Sequence, residues 1–191
     1  MFKELCATLF LLCNPMINGF DFSYDINPRD DFVKGIAECT LINNAFVPPD
    51  ERVIVAISVA QAILESDWGR SRFAKEANNF YGIVQPDPTE PHLKALNSDV
   101  MVKLYHTKCE SVADYIELLN VSHHFEKYRN ERRKQFVTQE IKLGNLIDTL
   151  DVYAIDPEYT KKVKEVTMML MTNYPDLFKT PEIALNFGKN L

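Results

Sequence analysis

The stretch from Pro48 to Ile83, PPDERVIVAISVAQAILESDWGRSRFAKEANNFYGI, decides how the rest of the chain is read. Asp50 behind two prolines is a helix start, and Val53, Ile57, Ala60 and Leu64 then recur at steps of three and four, one buried helical stripe. Glu65 falls off that stripe. It stands in register with Gln61 and Ser58 on a narrow polar seam, and Gly69 follows where the helix should stop. A carboxyl in that place lies near the negative end of the helix dipole and against apolar neighbours, and both favour its protonated form. A general acid needs that at neutral pH. The plain alternative is a solvated glutamate in a last helical turn.

Length and composition bound what surrounds this segment. A chain of 191 residues, 46% apolar, can bury one sizeable core, and no composition break marks a second. The expected division is an N-terminal extension over 1–27, a domain over 28–175 and a tail over 176–191. A net charge of -6 argues against nucleic acid as a partner, because phosphate neutralisation requires clustered positive charge. The one basic cluster, Arg129 to Lys134, reads as a solvated helix face. Cys6, Cys13, Cys39 and Cys109 are scattered without C-x-x-C spacing and read as core thiols. His92, His106, His123 and His124 form no ligand pattern, so neither a metal nor another cofactor is expected.

The segment AQAILESDWGRSRFAKEANNFYGI, residues 60–83, resembles the glucosaminidases of glycoside hydrolase family 73, in the branch of flagellar muramidase-like and Bax-like proteins. Ala60-Gln61-Ala62, Glu65-Ser66, Trp68-Gly69, Ser71, Asn78-Asn79 and Tyr81-Gly82-Ile83 carry the resemblance. Ser111-Val112 with Tyr115 and Leu119-Asn120 extend it, as does Tyr153-Ala154-Ile155-Asp156-Pro157-Glu158-Tyr159. It runs from about Asp31 to about Tyr174. The resemblance implies a mainly α, lysozyme-like helical domain with a small β-hairpin lobe as one wall of a glycan cleft. It implies Glu65 as the acid and Tyr153 facing it across the cleft. Gln61, Ser66, Trp68, Asn79, Tyr81 and Tyr115 are then candidate substrate-binding residues, with Tyr81 equally readable as core. Phe80-Tyr81 stands where the family more often has Leu-Phe.

The remaining chain reads as follows. Lys3 and the apolar run Leu5 to Cys13 resemble a weak secretion signal without a cleavage site, too short to span a bilayer. The expectation is an extension that docks on the core, on an envelope protein or on a virion protein. Pro28 to about Asn43 reads as a helix packed on the Glu65 helix, and Ser71 caps a short helix from Arg72 to Ala77 that Asn78-Asn79 ends. Pro86, Pro88 and Pro91 break the chain before Val100, Val102 and Leu104 alternate as a strand or hairpin. A second carboxylate is sought there: Asp99 first, then Asp87 and Glu90. Ser111 with Asp114 reads as a capping box opening a helix, followed by helices from His124 to Phe136 and from Thr138 to Leu150, the latter weakened by Gly144. Asp156-Pro157 starts a last helix with a Tyr159, Val163, Val166, Leu170 stripe; Met168, Met169 and Met171 join the core, and the chain from Pro175 wraps the surface.

The expected reaction is hydrolysis of a β-1,4-linked amino-sugar strand of peptidoglycan, in a phage-encoded or other bacteriolytic protein acting on the cell wall. Glu65 protonates the leaving oxygen, and either Asp99 activates a water or the sugar's own N-acetyl group, positioned by Tyr153, completes the step. Two alternatives remain open: a lytic transglycosylase using the same Glu-Ser pair, and an inactive glycan-binding or virion module.

Overall fold

In the computed structural model, residues 27–178 are described. The N-terminal apolar run with Cys6 and Cys13, and the tail beyond Phe178, lie outside them. Helix α1 spans Pro28–Asn44: Asn27 caps it by accepting the Arg29 N–H at 3.1 Å, and Pro28 sits where a helix needs no donor. Helix α2, Val55–Ser66, begins later than the sequence suggests. Pro49–Glu51 forms only a 3-10 turn, after which the Asn44 side chain clasps the backbone of Val53 from both sides. Its Nδ2 donates to the Val53 carbonyl at 2.7 Å and its Oδ1 accepts the Val53 N–H at 3.0 Å. That clasp holds Arg52 to Ile54 extended, so Val53 is core but not helix.

From Val55 to Ile63 every residue of α2 is buried, which makes it the central helix rather than an amphipathic one. The polar seam is therefore internal. Ser58 shares a hydrogen bond of 2.8 Å with Thr40 of α1, the contact expected between the two helices. The helix ends through Asp67, Trp68 and Gly69, all at positive φ, with Ser66 as organiser. Its Oγ donates to the Ala62 carbonyl and accepts the Gly69 N–H, and its carbonyl accepts the Ser71 N–H. Helix α3, Arg72–Ala77, follows as expected, capped by Ser71 and closed by Asn78 in the left-handed conformation.

Strands β1, His92–Lys94, and β2, Met101–Lys103, pair antiparallel with Leu93 opposite Val102. On its other edge β2 meets the segment after Tyr81, with the Lys103 N–H donating to the Ile83 carbonyl at 2.9 Å. Only Val102 of the alternating trio is buried; Val100 and Leu104 face outward because the strand is three residues long.

Helix α4, Lys108–Val121, starts a turn before Ser111. Thr107 and Glu110 form its reciprocal cap: the Glu110 N–H donates to Thr107 Oγ1, and Glu110 Oε2 accepts the His106 N–H. Ser111 is instead buried, its Oγ accepting the Phe80 N–H at 3.2 Å. The 3-10 turn His123–Phe125 leads into α5, Glu126–Thr138, and Phe125, Tyr128 and Arg132 on one side of this segment are buried. The basic cluster is not wholly solvated. Arg129 donates to the Leu119 and Ser122 carbonyls and Arg132 to Asn120, so both hold the end of α4. Gln139 at φ 54° ends α5, and α6 covers only Leu143–Asp148. The Gln135 side chain bridges that break by bonding Lys142 through both its amide ends.

Helix α7, Tyr159–Asn173, begins after a turn in which Asp156 accepts the Glu158 N–H at 2.9 Å. Tyr159, Val163, Thr167 and Leu170 are buried, Val166 and two of the methionines are partly so, and Met168 is exposed. Helix α8, Pro175–Phe178, does not wrap the surface: Phe178 is buried edge-on to Tyr174. Around α2 stand α1 and α7, with α4 packed on α1. Cys39 and Cys109 are not free thiols but a disulfide joining α1 to α4, with Cα atoms 4.9 Å apart. Spacing hid it because the two lie 70 positions apart in sequence. Among the described residues no helix is long and apolar enough to cross a membrane.

Candidate active site

Glu65 occupies the last turn of α2, half-buried, where the helix axis, the Asn79–Ile83 turn and the start of α7 converge. Its neighbour on the turn is Gly82 at φ 67°, where a side chain's first carbon would stand 3.7 Å from Glu65 Oε2. The glycine both permits the left-handed turn and brings backbone close to the carboxyl. Burial pushes the Glu65 carboxyl above the usual carboxylate range, while a hydrogen bond from the Tyr159 hydroxyl opposes that rise. Desolvation is the larger effect, so the protonated form is favoured, as a proton donor requires.

Four tyrosines back the carboxyl. Tyr153, in the loop before α7, donates its hydroxyl to the Tyr81 carbonyl at 2.9 Å and stacks on Tyr159 with ring centroids 5.7 Å apart. Burial raises its phenol, and the nearby Tyr159 and Glu65 raise it further. Tyr81 and Tyr115 stack at 4.0 Å, and the Tyr81 hydroxyl shares a hydrogen bond with Ser58 at 2.8 Å. Gln61 lies between α4 and α7: Tyr115 donates to its Oε1 at 2.5 Å, and its Nε2 donates to the Tyr159 hydroxyl oxygen at 2.9 Å.

The expected site residues thus separate into two groups. Glu65 and Tyr153 come together through a shared partner, Tyr159, whose ring stacks on Tyr153 and whose hydroxyl hydrogen-bonds Glu65. Gln61, Ser66, Asn79, Tyr81 and Tyr115, read as substrate-binding, are all buried with their polar atoms engaged inside the protein. Their place in the structure is to hold the wall of the site. Asn79 is the clearest case, donating to the Ile83 and Lys103 carbonyls and accepting the Ile83 N–H, which fixes the turn against β2. Trp68 is half-buried, with the Arg29 guanidinium 4.9 Å above its ring and Phe32 beside it.

The acids of the hairpin region stand apart from this cluster of buried groups. Asp99 has 99% of its side chain exposed and pairs with Lys94 at 2.7 Å. Asp87 accepts both the N–H and the hydroxyl of Thr89, which hold its carboxyl below the usual range, and Glu90 is exposed. Tyr159 was missed as a site residue because its place in a helical core stripe explained it fully. The only signal for it is the Tyr153 to Tyr159 motif, which brackets the turn into α7. Among the described residues no group of three His, Cys, Asp or Glu could hold a metal ion.

Residues 49–171 match the family model of the glucosaminidases, described as mannosyl-glycoprotein endo-beta-N-acetylglucosaminidase. The chain belongs to this glucosaminidase family. The matched span contains Glu65, Gln61, Tyr153 and Tyr159 together. Over 131 residues the chain is 29% identical to the exo-glucosaminidase LytG of Bacillus subtilis, covering 60% of this chain and 43% of that protein. It is 28% identical over 185 residues to an N-acetylmuramoyl-L-alanine amidase domain-containing protein of Staphylococcus aureus, covering 86% of this chain and 28% of the other. The chain therefore spans less than half the length of these curated relatives. In fold it is similar to the catalytic domain of the autolysin Auto from Listeria monocytogenes, with a TM-score of 0.61 at 16% identity over 94% of this chain and 97% of that one. The lysozyme-like fold expected of a glucosaminidase is found: among the described residues it is mostly helical with one two-stranded antiparallel sheet.

Proposed function

We propose that this glucosaminidase-family chain hydrolyses the β-1,4 glycosidic bond beside N-acetylglucosamine in peptidoglycan, with Glu65 as general acid. The observation that carries the reading is the half-buried carboxyl at the end of α2 whose protonated form burial favours. In this reading the glycan strand lies against the Glu65 face, and Glu65 gives its proton to the leaving glycosidic oxygen. Positive charge then develops on the ring being cleaved. Site of action is the bacterial cell wall.

The second half of the reaction follows the substrate-assisted route. An inverting enzyme needs a carboxylate held across the cleft to activate a water. Asp99 is fully exposed and its charge is already paired with Lys94, which supports an electrostatic or structural part for it. Tyr153 has a fixed ring and a fixed hydroxyl, held by Tyr159 and the Tyr81 carbonyl, and suits the positioning of an acetamido group.

Reducing-end release from purified peptidoglycan, with products identified by mass, tests this. Wild type is expected to release reducing N-acetylglucosamine ends, Glu65→Gln to lose about a hundredfold or more in rate, and Asp99→Asn to keep most of it. An Asp99→Asn loss as deep as that of Glu65→Gln, with folding intact, would instead assign the water to Asp99. Anhydro-muramic products would make the chain a lytic transglycosylase, and no release from a folded wild type would make it a binding module.

A further inference from the structure

The groups behind Glu65 form a hydrogen-bond chain with one direction. Tyr115, buried in α4, donates to Gln61 Oε1, so the carbonyl end of that amide faces α4. The Gln61 Nε2 end then donates to the Tyr159 hydroxyl oxygen. An amide has separate donor and acceptor ends, and a phenol has a single proton. With an N–H already on its oxygen, Tyr159 has its own proton free to point elsewhere. Gln61 and Glu65 are four residues apart on α2, one helical turn, so the side chain that Tyr159 meets next along that face is Glu65. Tyr159 is stacked on Tyr153 and cannot swing away without breaking that pair.

We propose that Tyr159 is a positioning residue for the general acid, its hydroxyl oriented by Gln61 and Tyr115 so that it donates to the Glu65 carboxylate once Glu65 has given up its proton. The inference deepens the reading of Glu65 as the acid and rests on it. When the glycosidic C–O bond breaks, its electron pair goes to the leaving oxygen, which takes the Glu65 proton. Tyr159 keeps its own proton throughout, because burial and the neighbouring Glu65 raise its phenol. It supplies a donor to the new carboxylate, and Glu65 regains a proton from the water that completes hydrolysis. The relay thereby makes Glu65 a stronger acid than burial alone would leave it. The titratable groups turned to Glu65 are Tyr159 from α7 and Tyr153 from the loop before it; the turn after Asn79 presents Gly82.

The test is Tyr159→Phe, which keeps the ring and its stacking while deleting the donor. Two readouts are taken: the pH profile of kcat on peptidoglycan, and the titration of the Glu65 side-chain carboxyl carbon by NMR in substrate-free protein, assigned by its absence in Glu65→Gln. The alkaline limb of the profile and the Glu65 titration are both expected to move to higher pH, with kcat about tenfold lower and KM within about twofold. Gln61→Met removes the orienting donor and is expected to move the Glu65 titration in the same direction, with no further movement when added to Tyr159→Phe. A Glu65 titration that stays in place or falls in either folded variant overturns the proposal. The titration needs no turnover, so a protein inactive on peptidoglycan would count against the proposed reaction and leave the relay to be judged by the NMR result.

Discussion

At the scale of the residue, the same burial that favours a protonated Glu65 makes its charged form a burden on the fold. Its pKa is raised in the folded state relative to an exposed glutamate near 4.5. The folded protein therefore holds this proton more tightly than the unfolded chain does. The contribution to stability is fully present below the unfolded value and is lost as pH rises through the folded one. Once pH has risen past the folded value a charged Glu65 has lost that contribution, and a neutral isostere has not. Glu65→Gln is accordingly expected to melt at or above wild type at pH 7, the gap closing as pH falls towards 4, by calorimetry across that range. A variant that melted lower at pH 7 would mean that donors such as Tyr159 outweigh desolvation. The sequence carried this residue openly: an acid off the apolar stripe at the end of a helix, inside a dense motif.

At the scale of the element, the turn from Asn79 to Ile83 is what joins the helical lobe to the hairpin. One side chain makes three hydrogen bonds there, between 2.9 and 3.0 Å, two of them inside the turn and one to β2. Asn79→Ala is expected to cost about 3 kcal/mol, since each lost bond is worth about 1 kcal/mol and buried backbone groups lose their partner. A fall in the urea midpoint with the slope unchanged would record it. Helices and their order were legible because apolar spacing survives in α1, α5 and α7. What was not legible depended on contacts distant in sequence. The Asn44 clasp moved the start of α2, and the buried Ser111 hydroxyl disguised an internal position of α4 as a cap. Gln61, Tyr115 and Tyr159 come from three elements, and only the fold shows that they form one chain behind Glu65.

At the scale of the whole molecule, the Cys39–Cys109 bond closes a loop that contains α2, Glu65, the Asn79 turn and the hairpin. With its ends 70 positions apart in sequence, the cross-link restricts the unfolded chain enough to contribute about 4 kcal/mol on the chain-entropy account. Such a bond persists in oxidising surroundings and not among cytosolic reductants. Under the proposed action at the cell wall the protein works where the bond can hold, which would tie the stability of this loop to the compartment of the proposed substrate. Replacing both cysteines by alanine is expected to lower unfolding free energy by up to about 4 kcal/mol. At low temperature the activity should remain near wild type, because neither sulfur is among the groups around Glu65. Wild type in dithiothreitol should reproduce the lower urea midpoint, and the double variant should be indifferent to reductant. Equal midpoints with and without reductant, once thiol titration shows that the bond has opened, would mean that α1 and α4 hold together by packing alone and that the cross-link contributes no stability of its own.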